Sequence, residues 1–279
     1  DTTGRMPYAI LLEIALQPCG WFAAYMGSAL TSKVDLRFRN LGGDGVQLIP
    51  VTPEIGTLTV KVHCTRVAAS GGMIIQNYAM EVLASCGLVY KAKTEFGFFS
   101  ARALDSQVGL REVDRWQREL PASKVNEPYP EGKGLPIAPI TMVDTVQCFQ
   151  ADGGRNGLGF IRGVSKVDSS AWYFKAHFYQ DPVMPGSLGV EAALQLLKVV
   201  ACKRWPEVEP DIIETVAIGE DHRWTYRGQV VAKVEQVTVE LEVTAVDEES
   251  MTLWAKGYLM ADQLVIYELE NFSLRMVRP

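Results

Sequence analysis

The sequence predicts an α+β fold built from two similar halves. The first observation is a repeat, because the segment 6–17 recurs as 184–195 with a shift of 178 positions. The repeat aligns Glu13 with Glu191. The second observation is that each copy opens a long apolar segment, and strand-like segments follow both in a similar order. Because repeats of this kind indicate repeated structural units, we expect two related halves.

The two apolar segments predict the central helices of the halves. Residues 7–29 and 186–203 are apolar on nearly every face. A helix without a polar face belongs inside a core or under a sheet. Pro18 lies inside the first segment, where we expect it to kink or interrupt the helix.

The segments after each helix predict antiparallel strands, since several of them alternate apolar and polar residues. The predicted strands are 58–69, 72–84 and 88–99 in the first half and 234–246, 250–261 and 264–277 in the second. Two further strand-like segments, 157–167 and 171–178, precede the second helix. In the sequence, the first half has no corresponding strand-like segments before its helix.

The chain therefore divides into a first half at 1–100, a linker at 101–139 and a second half at 140–279. Within the linker, a charged segment at 111–120 predicts a short helix, and the residues after it are rich in proline and glycine. We expect the first half to be incomplete at its N-terminus and the sequence to be part of a longer polypeptide. Two halves of this kind can pack as a pseudo-dimer.

Composition excludes several classes of function. A net charge of −6 offers no basic surface for nucleic acid. No apolar run is long enough to predict a membrane span. The five cysteines are odd in number and none forms a C-x-x-C pair, which argues against a disulfide scaffold or a zinc site. A reducing, cytoplasmic compartment and no metal are expected.

The stretch HFYQDPVMPGSLGVEAALQ at 177–195 resembles the β-hydroxyacyl-acyl-carrier-protein dehydratases, which have the hot-dog fold. MVDTVQCF at 142–149, SSAWYFKAHF at 169–178 and TYRGQVV at 225–231 extend the resemblance. The tandem arrangement is most similar to the dehydratase region of bacterial polyunsaturated fatty acid synthases. The resemblance implies a double hot-dog fold, in which two antiparallel sheets each wrap a long central helix.

Dehydration of a β-hydroxyacyl thioester needs a base, an acid and a dipole for the charge that develops on the thioester oxygen. His177 is the candidate base, because the ordinary pKa of histidine lies near 6.5. Glu13 and Glu191 are the candidate acids, since a buried carboxyl group keeps its proton more readily. The backbone N–H groups of Gly186 and Ser187, at the start of the second helix, are candidates for the oxyanion site.

In dimers of this family the histidine and the carboxylate come from different halves. The resemblance therefore implies that His177 faces Glu13, while Glu191 belongs to a second, incomplete site. Tyr8 stands at the position equivalent to Gly186 and narrows the approach to the first helix.

The resemblance also implies the partners. The substrate would be carried on the phosphopantetheine arm of an acyl carrier protein, beside other domains of a megasynthase, and the chain itself would need no cofactor. Whether the chain forms a homodimer stays an open question. Two other functions stay open as well: isomerisation of a trans-2 to a cis-3 enoyl thioester at the same site, and a non-catalytic role in binding acyl chains or organising the megasynthase.

Several conspicuous residues have structural interpretations. Asp181, before a proline, is expected to shape a turn, and LGGDG at 41–45 is also expected to form a turn. His222 is expected at a strand edge or turn. Four aromatic residues near the helices are expected in the core, with the lining of an acyl tunnel as the alternative for some of them: Trp21, Phe22, Trp172 and Phe174.

Overall fold

A computed structural model describes residues 4–116, 126–132, 135, 139–208 and 212–277. Its helices are α1 (Tyr8–Tyr25), α2 (Ala101–Asp105), α3 (Trp172–Ala176) and α4 (Gly186–Arg204), with a 3₁₀ turn at Pro53–Ile55. The strands of the first half are β1 (Leu36–Gln47), β2 (Thr59–Ser70), β3 (Met73–Ala84) and β4 (Gly87–Ser100). Those that follow are β5 (Glu127–Pro128), β6 (Thr145–Gln150), β7 (Phe160–Lys166), β8 (Ile212–Thr215), β9 (Asp221–Tyr226), β10 (Gln236–Asp247), β11 (Thr252–Ala261) and β12 (Leu264–Val277).

The repeat seen in the sequence is a repeat of structure. When α1, β2, β3 and β4 are shifted by 178 positions, they coincide with α4, β10, β11 and β12 to within one residue at each end. The six strands predicted after the two helices are therefore confirmed. The divisions at 100 and 139 stay predictions.

The strands form one 12-stranded sheet rather than two separate sheets. Its order is β2-β3-β4-β1-β9-β12-β11-β10-β7-β6-β5, and β8 pairs with β12 outside this path. The two halves join where β1 pairs antiparallel with β9, with Gly42 opposite Thr225 and Val46 opposite Asp221. This junction places the two central helices side by side, so that side chains from both can reach one site.

The two helices differ in how fully they are covered. Every residue of α4 from Ser187 to Ala201 is buried. In α1 only one side is buried, and Trp21 is 67% exposed. The cover on α4 includes the segment before β6, because the Gln195 side chain bonds the backbone of Ile140 and Met142.

Two of the predicted core aromatics are exposed. Trp21 and Trp172 reach solvent, so their assignment to the core was wrong, whereas Phe174 is buried and Phe22 is partly buried. Trp21 instead lines a large cavity along α1. Pro18 lies within α1 without ending it. The expected interruption is absent.

The glycine-rich segment 41–45 lies inside strand β1, so its assignment to a turn was wrong. A Cβ atom at Gly43 would lie 2.5 Å from the Trp224 ring, and one at Gly45 would lie 2.5 Å from the Tyr90 hydroxyl. Glycine is present because aromatic rings from neighbouring strands cover the backbone of β1.

The segment before His177 is also not the strand that was predicted at 171–178. It forms the short helix α3. The Asp168 carboxylate accepts hydrogen bonds from the backbone N–H and the hydroxyl of Ser170, which makes a turn that leads into the helix. At 225–231 only the first two residues continue strand β9.

The linker contains α2 and the short strand β5. Residues 111–116 are not helical, so the predicted helix is absent there, and residues 117–120 of the same segment lie outside the described residues.

Candidate active site

His177 lies directly after α3, at the start of a loop that leads to α4. Its Nδ1 atom lies 2.9 Å from the carbonyl oxygen of Val183. Because a carbonyl oxygen can only accept a hydrogen bond, this contact places a proton on Nδ1, and in the neutral imidazole the lone pair is then on Nε2. The loop therefore presents His177 as a proton acceptor.

Glu13 reaches the same place from α1. Its Oε1 atom lies 3.9 Å from Nε2 of His177, and the two side chains are 27% and 22% exposed. The Ser187 hydroxyl donates a 2.8 Å hydrogen bond to the other carboxylate oxygen, Oε2. The structure thus brings together residues from both halves, with the carboxylate from the first and the imidazole and hydroxyl from the second.

The N-terminus of α4 faces this pair. Gly186 and Ser187 are the first two residues of the helix and line the same cavity. Backbone N–H groups in a first helical turn have no carbonyl partner within the helix, and they carry the positive end of the helix dipole. A Cβ atom at Gly186 would lie 2.5 Å from the Tyr226 ring, so glycine is needed there for packing as well as for access.

Glu191 lies elsewhere. Its side chain is buried, it accepts a 3.0 Å hydrogen bond from Gln195, and it does not line the cavity that holds His177. The structure does not bring Glu191 to His177. A catalytic role for Glu191 stays a prediction.

The N-terminus of α1 is filled by aromatic side chains. The Tyr8 hydroxyl bonds Nε2 of His222 and lies 2.9 Å from the hydroxyl of Tyr90. Burial raises the pKa of Tyr8 well above its usual value and lowers the pKa of His222 to about 3. His222 is therefore a neutral core residue within β9, not the residue of an edge or turn that was expected.

A second cross-half contact, which the sequence analysis missed, holds the His177 loop. Asp181 accepts hydrogen bonds from Nη1 and Nη2 of Arg39, at 2.6 and 2.9 Å, and from Arg37 at 3.0 Å. Arg39 also donates from Nε to Gln229 at 2.6 Å. Burial opposes ionisation of Asp181, but the bond and charge of Arg39 and the charge of Arg37 lower its pKa below the usual value.

Asp181 does close a turn, as expected, since its N–H and carbonyl both bond the backbone of Phe178. Its carboxylate has the additional task of joining the loop to β1. Arg37 and Arg39 are two residues apart on β1, so they lie on the same face, but no strand was predicted there from the sequence.

The cavity beside the pair has a volume of about 660 Å³. One end holds His177, Glu13 and the start of α4, and the rest follows α1 toward apolar side chains: Leu16, Phe38, Phe96, Phe98, Ala23 and Leu30. This shape suits a ligand with a polar reacting group and a long apolar tail.

Within the described parts of the chain, no three His, Cys, Asp or Glu side chains gather as metal ligands. None of the described helices combines the length and the apolar character that crossing a membrane requires. All five cysteines are free thiols.

Comparison with known proteins identifies a family and a fold. A family model described as a FabA-like domain matches residues 135–270. A polyunsaturated fatty acid synthase protein of Thraustochytrium sp. is 31% identical over an alignment of 308 residues. That alignment covers 98% of this chain and 20% of the relative, so the chain spans about a fifth of that relative's length.

Among solved structures, an oleoyl thioesterase from Lactobacillus plantarum superposes with a TM-score of 0.56 at 10% identity. The match covers all of this chain and 92% of that one, and it supports the fold alone. The predicted hot-dog type of α+β fold is confirmed. With the family match across the half that carries His177 and α4, residues 135–270 belong to the FabA-like family of hot-dog domains.

Proposed function

We propose that the chain dehydrates β-hydroxyacyl thioesters to enoyl thioesters during fatty acid synthesis. One observation carries the proposal: Nε2 of His177 and Oε1 of Glu13 lie 3.9 Å apart at the polar end of a long cavity. The FabA-like family match and the fatty acid synthase relative support the same chemistry.

His177 acts as the base. The lone pair on Nε2 takes the proton from C2 of the acyl chain, and the electrons of that C–H bond form the new C2–C3 double bond. The bond between C3 and its hydroxyl oxygen breaks. Protonated Glu13 supplies the proton that turns the departing oxygen into water, so that charge and atoms balance.

The negative charge that develops on the thioester oxygen as the C2 proton leaves must be stabilised by hydrogen-bond donors. The backbone N–H groups of Gly186 and Ser187 provide them at the start of α4. Preorganised donors of this kind typically lower such barriers by several kcal/mol.

The acyl group arrives on the phosphopantetheine arm of an acyl carrier protein, and the chain works beside other domains of a megasynthase in the cytoplasm. The relative is part of a fatty acid synthase and is about five times as long as its region aligned with this chain, which supports that setting. The chemistry needs no resident cofactor, because proton transfers and a helix dipole suffice.

The test is an assay of the purified chain with a β-hydroxyacyl pantetheine thioester, followed by mass spectrometry of the products. Loss of water by the wild type, and at least a hundredfold slower loss with His177→Ala, is expected from the usual contribution of a general base. Equal rates for both proteins would leave a non-catalytic acyl-binding role. A non-conjugated alkene among the products would reveal isomerisation at the same site.

A further inference from the structure

The contact between Ser187 and Glu13 has no equivalent in the repeated half. The Ser187 side chain is buried, with 3% exposure, and its hydroxyl donates to Oε2 of Glu13. The equivalent residue at the start of α1, 178 positions earlier, is Ala9. At this position of the repeat, a hydroxyl is therefore present only in the helix whose N-terminus faces His177.

The hydrogen bond distinguishes the two oxygens of the Glu13 carboxyl group. Oε2 accepts from Ser187, while Oε1 is the oxygen directed at Nε2 of His177. A carboxylic acid carries its proton on one oxygen and accepts with the other. The contact therefore leaves the proton on Oε1, where substrate lies between acid and base.

We propose that Ser187 is a positioning residue for the dehydration, which directs Oε1 of Glu13 at the substrate and stabilises the carboxylate left when the proton departs. This inference rests on the proposed function. A hydrogen bond to an ionised acceptor is roughly twice as strong as one between neutral groups. The bond therefore strengthens as Glu13 loses its proton, and an interaction that strengthens toward the transition state raises kcat.

The test is a double-mutant cycle of steady-state rates with a β-hydroxyacyl pantetheine thioester. Ser187→Ala is expected to lower kcat about tenfold or more, as for a lost hydrogen bond to a charged group, with KM within about twofold of wild type. In a Glu13→Gln background, where no carboxylate can form, the same substitution is expected to change the rate by less than about twofold.

Ser273→Ala is the matched control. Ser273 is also fully buried, and its hydroxyl accepts from the backbone N–H of Ala217, outside the cavity. Its loss should lower thermal stability and leave kcat unchanged.

Two results would overturn the inference: an unchanged kcat for Ser187→Ala, or the same fractional loss in the wild-type and Glu13→Gln backgrounds, which would indicate a packing effect. Both require a wild type that dehydrates the substrate. A wild type that does not would instead refute the proposed function.

Discussion

Oε1 of Glu13 lies 3.9 Å from Nε2 of His177, although the two residues come from opposite halves of the chain. The pairing of β1 with β9 makes this possible, since it joins the two halves so that α1 packs beside α4. Glu191, only fourteen residues from His177, bonds Gln195 instead. Proximity in sequence therefore does not identify the partner of the histidine.

The two glutamates should respond differently to replacement by glutamine. Glu13→Gln is expected to slow dehydration at least a hundredfold, because an amide cannot supply the proton. Glu191→Gln keeps a side chain that can still bond Gln195, and it should retain most of the rate. Steady-state rates of the two variants with one substrate show which glutamate is the acid. A larger loss of rate for Glu191→Gln than for Glu13→Gln would assign that role to Glu191.

The contact between Arg39 and Asp181 should matter for both stability and rate. Arg39→Met leaves Asp181 partly buried without its main partner, so we expect a loss of about 3 kcal/mol in the free energy of unfolding. The His177 loop should also become less well placed, with a roughly tenfold lower kcat/KM. Urea denaturation and initial rates measure the two effects.

A surface ion pair serves as the control for that substitution. Arg204 bonds Glu248, which is 60% exposed. Arg204→Met should cost less than about 1 kcal/mol and leave the rate unchanged, as exposed pairs contribute little. Equal costs for Arg39→Met and Arg204→Met would contradict the importance given to the buried contact.

His222 should make stability depend on pH. Burial lowers its pKa to about 3 in the folded chain, against an ordinary value near 6.5 in the unfolded chain. Below pH 6.5, His222 therefore binds a proton in the unfolded state but not in the folded state. The free energy of unfolding is expected to fall as pH drops from 6.5 toward 3, by about 1.4 kcal/mol per pH unit at most.

Urea denaturation at a series of pH values tests this expectation. His222→Gln should flatten the dependence, since the titrating group is removed. His63→Gln, at an exposed position on β2, should leave the dependence as it is in wild type. A slope that survives in His222→Gln would show that other groups cause it.

Gly43 should not tolerate a methyl group. The added Cβ would lie 2.5 Å from the Trp224 ring and closer still to the carbonyl oxygen of Lys93. We expect Gly43→Ala to lower the free energy of unfolding by about 1–3 kcal/mol, as overpacking does. At Gly20 in α1 the nearest atom would be 3.4 Å away, so Gly20→Ala should be neutral or slightly stabilising. Thermal unfolding of the two variants provides the comparison.

The prediction of LGGDG as a turn failed for a reason that applies widely. Glycine and aspartate favour turns through local backbone preferences. In β1 the glycines instead make room for Trp224 and Tyr90, which are distant in sequence. The prediction of a strand at 171–178 failed because the turn at Asp168 starts a helix that local apolar content did not reveal.

The pattern of residues was sufficient for the repeat, both central helices, the six strands after them and the residue types that could carry acid–base chemistry. These features follow from periodicity and local composition, which can be read directly from the sequence. The family resemblance already implied that Glu13 faces His177, and the tertiary structure supplied the distance between them. The tertiary structure alone decided that Asp181 is held by Arg39 and that Tyr8 and His222 fill the start of α1. Each of those contacts joins distant segments across the junction of β1 and β9, and such pairings depend on the packing of the whole sheet.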